Sequence, residues 1–326
     1  MDFLSQAFMQ RAILAALLSG LLSPAIGTFI VQRRLSLLGD GLGHVAIAGV
    51  GLSFLTNTAP LPAAILVCVL GAVAVELLRQ HGRATGDVGL AILFYGGLAS
   101  GVMMAGLGGR GAGALSQFLF GSLTTVSPND ILVIGVLGVI VVTLCVGLLP
   151  QLFAICADED FARVLGLPVR ALNLLVVVLA ALTVTLSMRT VGLLLVSAMM
   201  VVPVATAQNL FVSFRATLFG AMAIGALTAT GGTVGSYYWN TASGATIVVC
   251  AIAVFLLSWP LAAWLHHRQH VAARTIAAED PAEPHVIAHA NSGEPVGEQA
   301  LLHGDHVDYL HDGHRHAPHG DHFDEH

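Results

Sequence analysis

The sequence contains no lysine, and only 10% of its 326 residues are charged. A soluble domain carries about 25% charged residues, so this chain has too little charge to cover a water-facing surface of its size. In contrast, 56% of the residues are hydrophobic, and the mean hydropathy is +0.83. The shortage of charge excludes an ordinary soluble protein and indicates a membrane protein.

Motifs that would define an enzyme or a nucleic-acid-binding module are also missing. No G-x-x-x-x-G-K-[ST] nucleotide loop is present, so the chain is not expected to hydrolyse ATP or to be an enzyme. The basic residues are scattered, which argues against nucleic-acid binding. The four cysteines are far apart and form no CxxC pair, which argues against a disulfide framework or a cysteine zinc site. No permanently bound cofactor is predicted.

The chain divides into two unlike parts near residue 266. Residues 1–265 contain 10 arginines and 8 acidic residues. Residues 266–326 contain 3 arginines and 11 acidic residues, together with 13 of the 15 histidines. We therefore predict a transmembrane domain over residues 1–265 and a His/Asp-rich tail over residues 266–326. Because the tail has few large apolar residues, it is predicted to be disordered in the absence of a ligand.

Long charge-poor runs organise the first part. A helix needs about 20 apolar residues to cross the hydrocarbon core, and these runs are continuous rather than alternating as in a lipid-facing barrel. We predict an all-α, polytopic fold with about nine transmembrane helices, and the pattern is also compatible with eight or ten. The runs fall near residues 9–31, 42–57, 61–79, 88–108, 131–153, 171–190, 191–211, 215–237 and 244–265.

The positions of the arginines orient these helices, because cytoplasmic loops are enriched in basic residues. With the N-terminus outside and nine crossings, most arginines fall inside, and the tail is cytoplasmic. The inside set is Arg33, Arg34, Arg79, Arg83, Arg163, Arg170, Arg215, Arg268 and Arg274. The outside set is Arg11, Arg110 and Arg189.

Asp40 and His44 are the first candidate functional residues. Their spacing of four residues puts both side chains on one face of a helix. A carboxylate and an imidazole can together bind Zn²⁺, Mn²⁺ or Fe²⁺, and an ionisable residue at membrane depth is costly enough to indicate a function. The alternative interpretation makes Asp40 a helix N-cap beside an incidental histidine, and the spacing alone leaves both interpretations open.

A short polar segment, residues 157–168, interrupts the apolar runs. Its acidic residues come first, an arginine follows, and glycine and proline close it, in the order expected for a short helix. We predict an amphipathic helix that either docks into a groove on a soluble partner or lies on the membrane surface. The candidate residues are Asp158, Glu159, Asp160, Phe161, Arg163, Leu165 and Gly166.

Pro203 lies within the apolar run 191–211. Because proline removes a backbone hydrogen bond, it is predicted to kink that helix. Kinked helices can line transport pathways, although proline is ordinary in membrane helices.

Histidine and aspartate recur through the end of the tail, with no evident repeat of fixed period. Imidazole and carboxylate groups in a flexible chain bind borderline metals in shifting sets, so we predict weak metal binding. The alternatives are solubilising disorder and a purification tag, although the histidines do not form the contiguous run of a tag. The candidates are His303, His306, His311, His314, His316, His319, His322 and His326.

Five segments, in order, resemble motifs of the permease family of bacterial zinc, manganese and iron ABC importers. Residues 32–40 (QRRLSLLGD) with His44 resemble its arginine-rich turn and G-D-x-x-x-H motif. The other four segments are residues 118–123 (FLFGSL) with Asp130, 160–168 (DFARVLGLP), 191–207 (VGLLLVSAMMVVPVATA) and 240–246 (NTASGAT). The match spans about residues 10–260. Gly43 and residues 240–242 depart from the family pattern without removing a candidate ligand.

The resemblance implies a permease subunit of an ATP-driven importer of a divalent transition metal in the bacterial inner membrane. It implies two ATP-binding subunits docked on residues 157–168, an extracytoplasmic metal-binding protein, and a second permease copy or close paralogue. It also implies that Asp40 and His44 lie on the metal route. Zinc is the first expectation because the tail is rich in histidine, but manganese and iron use similar ligands.

Two other classes of protein also combine membrane helices with histidine-rich segments. A secondary transporter of the cation diffusion facilitator type would exchange metal for protons as a lone chain, but several crossings here lack any ionisable residue. A membrane metal sensor would use the tail as a receiver without transporting. Copurification with an ATPase subunit favours the importer, metal–proton exchange in liposomes favours the facilitator, and uptake that survives deletion of the chain favours the sensor.

Overall fold

In a computed structural model, the chain forms a set of packed helices and a short antiparallel sheet. The structure describes residues 7–80, 86–109, 112–121, 127–188, 191–279, 299–303, 306–311, 314–319 and 322–325. Of the residues named above, Arg83, Arg110, Arg189, His326 and residues 122–123 lie outside this set. The chain separates into two units, Met1–Ala262 and Ala263–His326.

The helices of the first unit start and end close to the predicted apolar runs. They are α1 (Ala7–Gln32), α2 (Leu38–Thr56), α3 (Pro60–Gln80), α4 (Gly86–Leu107), α5 (Ser116–Phe120), α6 (Pro128–Gly147), α7 (Leu149–Ala157), α8 (Glu159–Val164), α9 (Val169–Ser187), α10 (Leu193–Leu210), α11 (Phe214–Trp239) and α12 (Ser243–Glu279), which continues into the second unit. A short 3₁₀ turn, Ala112–Leu115, precedes α5.

Eight helices of the described chain are long and apolar enough to cross a membrane: α1, α2, α3, α4, α6, α9, α11 and the first part of α12. Helix α10 is a further apolar helix of 18 residues, which at 1.5 Å per residue is about 27 Å long. The predicted all-α, polytopic fold is therefore confirmed.

The predicted run 131–153 differs from the structure, because it is divided between two helices. Helix α6 ends at Gly147, and α7 starts at Leu149 with Pro150 in its first turn. Proline has no backbone N–H and fits the first turn of a helix, so a new helix starts here even though the apolar run continues. At the other end of α6, Ser127 and Asp130 form a capping box.

Side-chain contacts sort the helix ends into two groups. At one end, Arg33, which follows α1, pairs with Glu159 of α8 at 2.5 Å. At the other end, Phe54 of α2 packs edge-on against Phe118 of α5, with ring centroids 6.3 Å apart. We call the first of these the basic end of the helices. Contacts between neighbouring helix ends place five further arginines there: Arg34, Arg79, Arg163, Arg170 and Arg215.

Helices α1, α2 and α9 form the interior of the first unit. Their apolar windows are 72%, 83% and 67% buried, whereas those of α3, α4, α6 and α12 are 22 to 28% buried. The less buried helices expose large apolar side chains such as Leu66 and Val139, as expected for contact with lipid. Cys68 and Cys145 are buried in the apolar core, and the four cysteines are free.

Helix α2 lies very close to α4 because glycines line the contact. A Cβ atom on Gly97 would lie 2.6 Å from the carbonyl carbon of His44, and one on Gly101 would lie 2.6 Å from the Ile47 side chain. Small residues four positions apart let helix backbones approach each other in lipid, where van der Waals packing holds helices together. The position of His44 therefore depends on Gly97.

The second unit contains the last part of α12 and four short strands. Strands β1 (Gln299–His303), β2 (His306–His311), β3 (His314–His319) and β4 (His322–Glu325) pair antiparallel in chain order. A sheet this small, with few apolar residues, has little stability of its own in water. The disorder predicted for the free tail therefore stays a prediction.

Substitutions at two adjacent glycines test the packing of α2 on α4. Gly97→Ala is expected to destabilise the protein by about 1–3 kcal/mol, because its methyl group would enter the backbone of α2. Gly96→Ala is the matched control, since a Cβ atom there meets nothing within 4 Å; it should be neutral or stabilise by up to about 1 kcal/mol. Thermal unfolding in detergent measures both, and equal effects would contradict the close contact.

Candidate metal path and coupling loop

Asp40 lies in the first turn of α2 and is partly buried. The N-cap of α2 is Leu37, and no side chain caps the helix, so the interpretation of Asp40 as the N-cap is wrong. Instead, Oδ1 of Asp40 accepts a hydrogen bond of 2.5 Å from Oγ of Ser197 in α10. The first turn also favours an anion through the helix dipole.

His44 lies one turn further along α2 and is only 6% exposed. Its ring packs edge-on against Phe94 of α4, with centroids 4.0 Å apart. Among the residues that the structure describes, Nδ1 of His44 finds no hydrogen-bond partner. Because buried polar atoms are normally hydrogen-bonded, this nitrogen needs an explanation, and a transient ligand would provide one.

An open cleft of about 280 Å³ leads to Asp40 between α2 and α4. Phe94 both lines this cleft and covers His44, so a movement of the Phe94 ring would connect the cleft to the imidazole. The lining residues are Leu37, Asp40, Gly41, Leu90, Ala91, Phe94 and Tyr95. The cleft reaches the carboxylate of Asp40, and the Phe94 ring separates it from the imidazole of His44.

Asp40 and His44 could supply only part of a metal coordination shell. In the part of the chain that the structure describes, no group of three or more His, Cys, Asp or Glu side chains could hold a metal ion. Ser197 adds one hydroxyl oxygen beside Asp40. A structural zinc site is closed by four protein ligands, so an ion here would retain water or take ligands from another chain.

The segment 157–168 contains the predicted short helix. Asp158 is the N-cap of α8, and its Oδ1 accepts hydrogen bonds from the backbone N–H groups of Asp160 and Phe161, at 2.9 and 3.0 Å. Gly166 follows the C-terminal end of α8, and its φ of +77° lies in the left-handed region. The N–H of Leu167 donates to the carbonyl of Ala162, which completes the Schellman ending that favours glycine.

Arg33 anchors α8 to the end of α1. Its Nη2 donates to Oε1 of Glu159 at 2.5 Å, and Nδ2 of Asn173 in α9 donates to the same oxygen at 3.1 Å. The Arg33 side chain is 5% exposed, so its charge depends on this partner. Burial raises the pKa of the neighbouring Cys156 to about 11, so that thiol is neutral near pH 7.

The anchored helix presents apolar side chains outward. Phe161, Val164 and Leu165 are 59%, 84% and 57% exposed. Arg163 lies beside them and pairs with Asp160 at 2.6 Å. The segment 157–168 is therefore held at its acidic start while its apolar residues remain uncovered in the single chain.

Helix α10 continues through Pro203, from Leu193 to Leu210. The kink predicted at this proline stays a prediction. Of the eight candidate histidines of the tail, seven lie in strands β1 to β4, and His326 falls outside the described residues. They belong to the second unit of the chain, and metal binding by them stays a prediction.

Comparison with known proteins decides the family. The model of the ABC 3 transport family matches residues 5–262. The chain belongs to this family. The manganese transport system membrane protein MntC of Halalkalibacterium halodurans is 32% identical over 259 residues, which cover 79% of this chain and 88% of the relative. The predicted family of the permease is therefore confirmed, and the tail lies beyond the matched region.

Two further proteins of known name are similar to this chain. The high-affinity zinc uptake system membrane protein ZnuB of Haemophilus influenzae is 28% identical over 76% of this chain and 95% of the relative. The solved structure described as PsaBC from Streptococcus pneumoniae in complex with Fab aligns with a TM-score of 0.72 and 30% identity, over 79% of this chain and 93% of that one. Relatives of the permease thus carry both manganese and zinc names.

Sequence reasoning missed the partners of the candidate residues. Ser197 stands in the 191–207 segment, but nothing in the pattern marks its hydroxyl as the donor to Asp40. Glu76, a further buried carboxylate at the basic end, was also missed; it is 3% exposed and accepts hydrogen bonds from Arg79 and Gln80, each at 3.0 Å. These two partners in its own helix account for its charge without a ligand.

The anchor at Arg33 is testable by hydrogen exchange. Arg33→Met removes a charged hydrogen bond worth about 1.5–3 kcal/mol, so amides of residues 157–168 should exchange roughly tenfold faster or more. Arg34→Met is the matched control, because Arg34 is the exposed neighbour. Mass spectrometry of the detergent-solubilised protein reports both variants, and unchanged exchange in Arg33→Met would contradict the anchor.

Proposed function

We propose that the chain is the transmembrane permease subunit of an ATP-driven importer of a divalent transition metal, with zinc as the first candidate. The observation that carries the proposal is the placing of Asp40 and His44 one turn apart in α2, beside a cleft of about 280 Å³. Ionisable residues at membrane depth are costly and mark substrate or ion pathways. Membership of the ABC 3 transport family supports a transport role.

A separate subunit is proposed to hydrolyse ATP, because the sequence lacks a nucleotide loop. In this proposal two ATP-binding subunits, an extracytoplasmic metal-binding protein and a second permease copy or close paralogue complete the importer. The second permease and water would supply the ligands that Asp40, His44 and Ser197 leave open. An incomplete shell suits a path site, because a closed site would retain the ion.

The donor atoms of the candidate site are compatible with more than one divalent metal. One carboxylate, one hydroxyl and one imidazole suit zinc, and they also suit manganese, which favours oxygen ligands. The relatives named above divide in the same way, one named for manganese and one for zinc. Zinc is preferred here because the same chain carries 13 histidines in its tail.

The basic end is proposed to face the cytoplasm of a bacterial inner membrane. Arginine-rich ends of membrane helices lie preferentially on that side. In this orientation α8 faces the cytoplasm, where an ATP-binding subunit is present, and its exposed Phe161, Val164 and Leu165 form the docking surface. Arg33 then joins this surface to the turn that precedes Asp40, so that docking and the metal path share one rigid connection.

Two substitutions test the path site. Asp40→Asn removes the charge that offsets a divalent cation, and His44→Ala removes the imidazole. Replacing even a partner of a metal ligand costs about 10–100-fold in affinity or activity, so each variant should reduce uptake at least that far. Elemental analysis of cells starved of zinc, manganese or iron measures the loss and identifies the metal.

The comparison for the path site is Ser197→Ala, which removes one neutral hydroxyl and its hydrogen bond to Asp40 but leaves the carboxylate and the imidazole, and it should cause the smaller loss. Copurification with the ATP-binding subunit reports that each variant is folded. Normal uptake by both Asp40→Ser and His44→Ala would show that these residues are structural.

The docking surface is tested by Gly166→Val combined with Leu165→Asp. The first change strains the left-handed position at φ +77° by about 1–3 kcal/mol, and the second puts a charge into the apolar surface. Copurification of the ATP-binding subunit and metal uptake should both fall while membrane insertion persists. Gly109→Val, at φ +71° near the opposite end, carries a similar strain and should retain both; unchanged uptake in the double variant would exclude this segment from coupling.

A further inference from the structure

Helices α2 and α4 pack side by side and run in the same direction. Near their starts, a Cβ atom on Gly41 would lie 3.5 Å from the Cβ atom of Leu93. Near their ends, a Cβ atom on Gly108 would lie 2.8 Å from the carbonyl carbon of Phe54. Since α2 starts at the basic end, α4 starts there as well. Positions along the two helices can therefore be compared as depths from the basic end.

The cleft and the imidazole lie at different depths. The cleft is lined by the start of α2, including Asp40, and by residues of the early turns of α4, whereas His44 lies one turn deeper along α2. Phe94 stands between them, because its ring lines the cleft and also packs edge-on against His44, with centroids 4.0 Å apart. An ion that passes between His44 and the cleft therefore meets this ring.

The ring, and not the helix that carries it, is the part that can move. A Cβ atom on Gly97 would lie 2.6 Å from the carbonyl carbon of His44, so the backbones of α2 and α4 are in direct contact one turn beyond Phe94. Phe94 itself is half-buried, and its ring borders a cleft of about 280 Å³ into which it can turn. Rotation of a side chain is also much faster than the movement of a packed helix.

We propose that Phe94 is a gate residue of the metal path, whose ring closes the imidazole of His44 from the cleft at the basic end until it turns aside. This inference rests on the proposed transport function, in which the basic end faces the cytoplasm. Phe94 is not a metal ligand in this proposal. It controls when an ion can pass between the two candidate ligands.

A transporter that accumulates metal needs such a gate, because its path must never be open at both ends at once. During import the opposite end opens to admit an ion to His44, and a closed ring then keeps that ion from exchanging freely with the cytoplasm. The negatively polarised face of an aromatic ring attracts cations, so an opened ring does not repel the ion that passes it.

The closed ring is tested on the purified full-length chain, without transport. Diethyl pyrocarbonate modifies accessible imidazoles, and mass spectrometry of the peptide that contains His44 measures the rate of its modification. Phe94→Ala, and Phe94→Leu, which retains most of the apolar volume, should raise this rate by about two- to tenfold, the factor expected for the loss of one edge-on ring contact. Phe94→Tyr retains the ring and should leave the rate unchanged.

Ile92→Ala is the control for a general loosening of α4. Ile92 is exposed, and because it is two residues from Phe94, its side chain points to the other side of the helix. This variant should leave the rate of His44 modification unchanged. Copurification with the ATP-binding subunits reports that each variant is folded.

The role of the ring in transport is tested in the importer reconstituted in liposomes, with ATP inside and the metal-binding protein outside. Zinc chloride and manganese chloride are supplied in turn. Phe94→Leu and Phe94→Ala should lower the amount of metal accumulated per ATP hydrolysed by a factor similar to the rise in His44 modification, while ATP hydrolysis continues. Phe94→Tyr and Ile92→Ala should accumulate metal as the unsubstituted importer does.

The outcomes distinguish the gate from the transport function. Unchanged His44 modification in Phe94→Leu and Phe94→Ala, or unchanged metal accumulation per ATP hydrolysed, would overturn the gate and leave the transport function in place. Equal losses of accumulation and ATP hydrolysis would show that Phe94 is structural. If the unsubstituted importer takes up neither metal, the transport function is contradicted, and the gate with it.

Discussion

The close approach of α2 to its neighbours is the constraint on which the candidate metal path depends. Gly97 brings α4 against the backbone of His44, and a hydrogen bond joins Ser197 of α10 to Asp40. In lipid no hydrophobic force draws helices together, so close packing and hydrogen bonds between them must do so. The glycine at the contact of α2 with α4 therefore determines where His44 lies, and the hydrogen bond from Ser197 orients Asp40.

A second connection, the ion pair of Arg33 with Glu159, joins the end of α1 to α8. Arg33 is buried after α1, and Asp40 lies in the first turn of the next helix. Because Arg33 is buried and Glu159 is 35% exposed, breaking the pair would leave the buried guanidinium without its anion, which costs more than losing a surface pair. In the proposed function, this pair connects a subunit docked on α8 to the turn that precedes α2.

The sequence alone predicts the helices well because their information is local. Continuous apolar runs mark α1, α3 and α11, and Gly166 marks the end of α8 through its left-handed backbone. The contacts that define the site are not local: Ser197 and Asp40 are 157 residues apart, and Arg33 and Glu159 are 126 apart. The sequence left open whether Asp40 is the N-cap of α2, because the answer depends on the residue at which α2 starts. Apolar residues on both sides of Leu38 hide that starting residue in the sequence.

The candidate path residues and the tail offer a metal different donors, and this difference separates two questions that the histidine-rich tail otherwise merges. Asp40 and Ser197 would offer oxygen beside the single imidazole of His44, a set that accepts manganese as well as zinc. The tail is rich in histidine, and imidazole suits zinc. A preference of the tail for zinc is therefore only indirect support for zinc as the transported ion. In the proposed function, selectivity of transport is decided at Asp40 and His44, where geometry and the missing ligands, rather than affinity order, choose the ion.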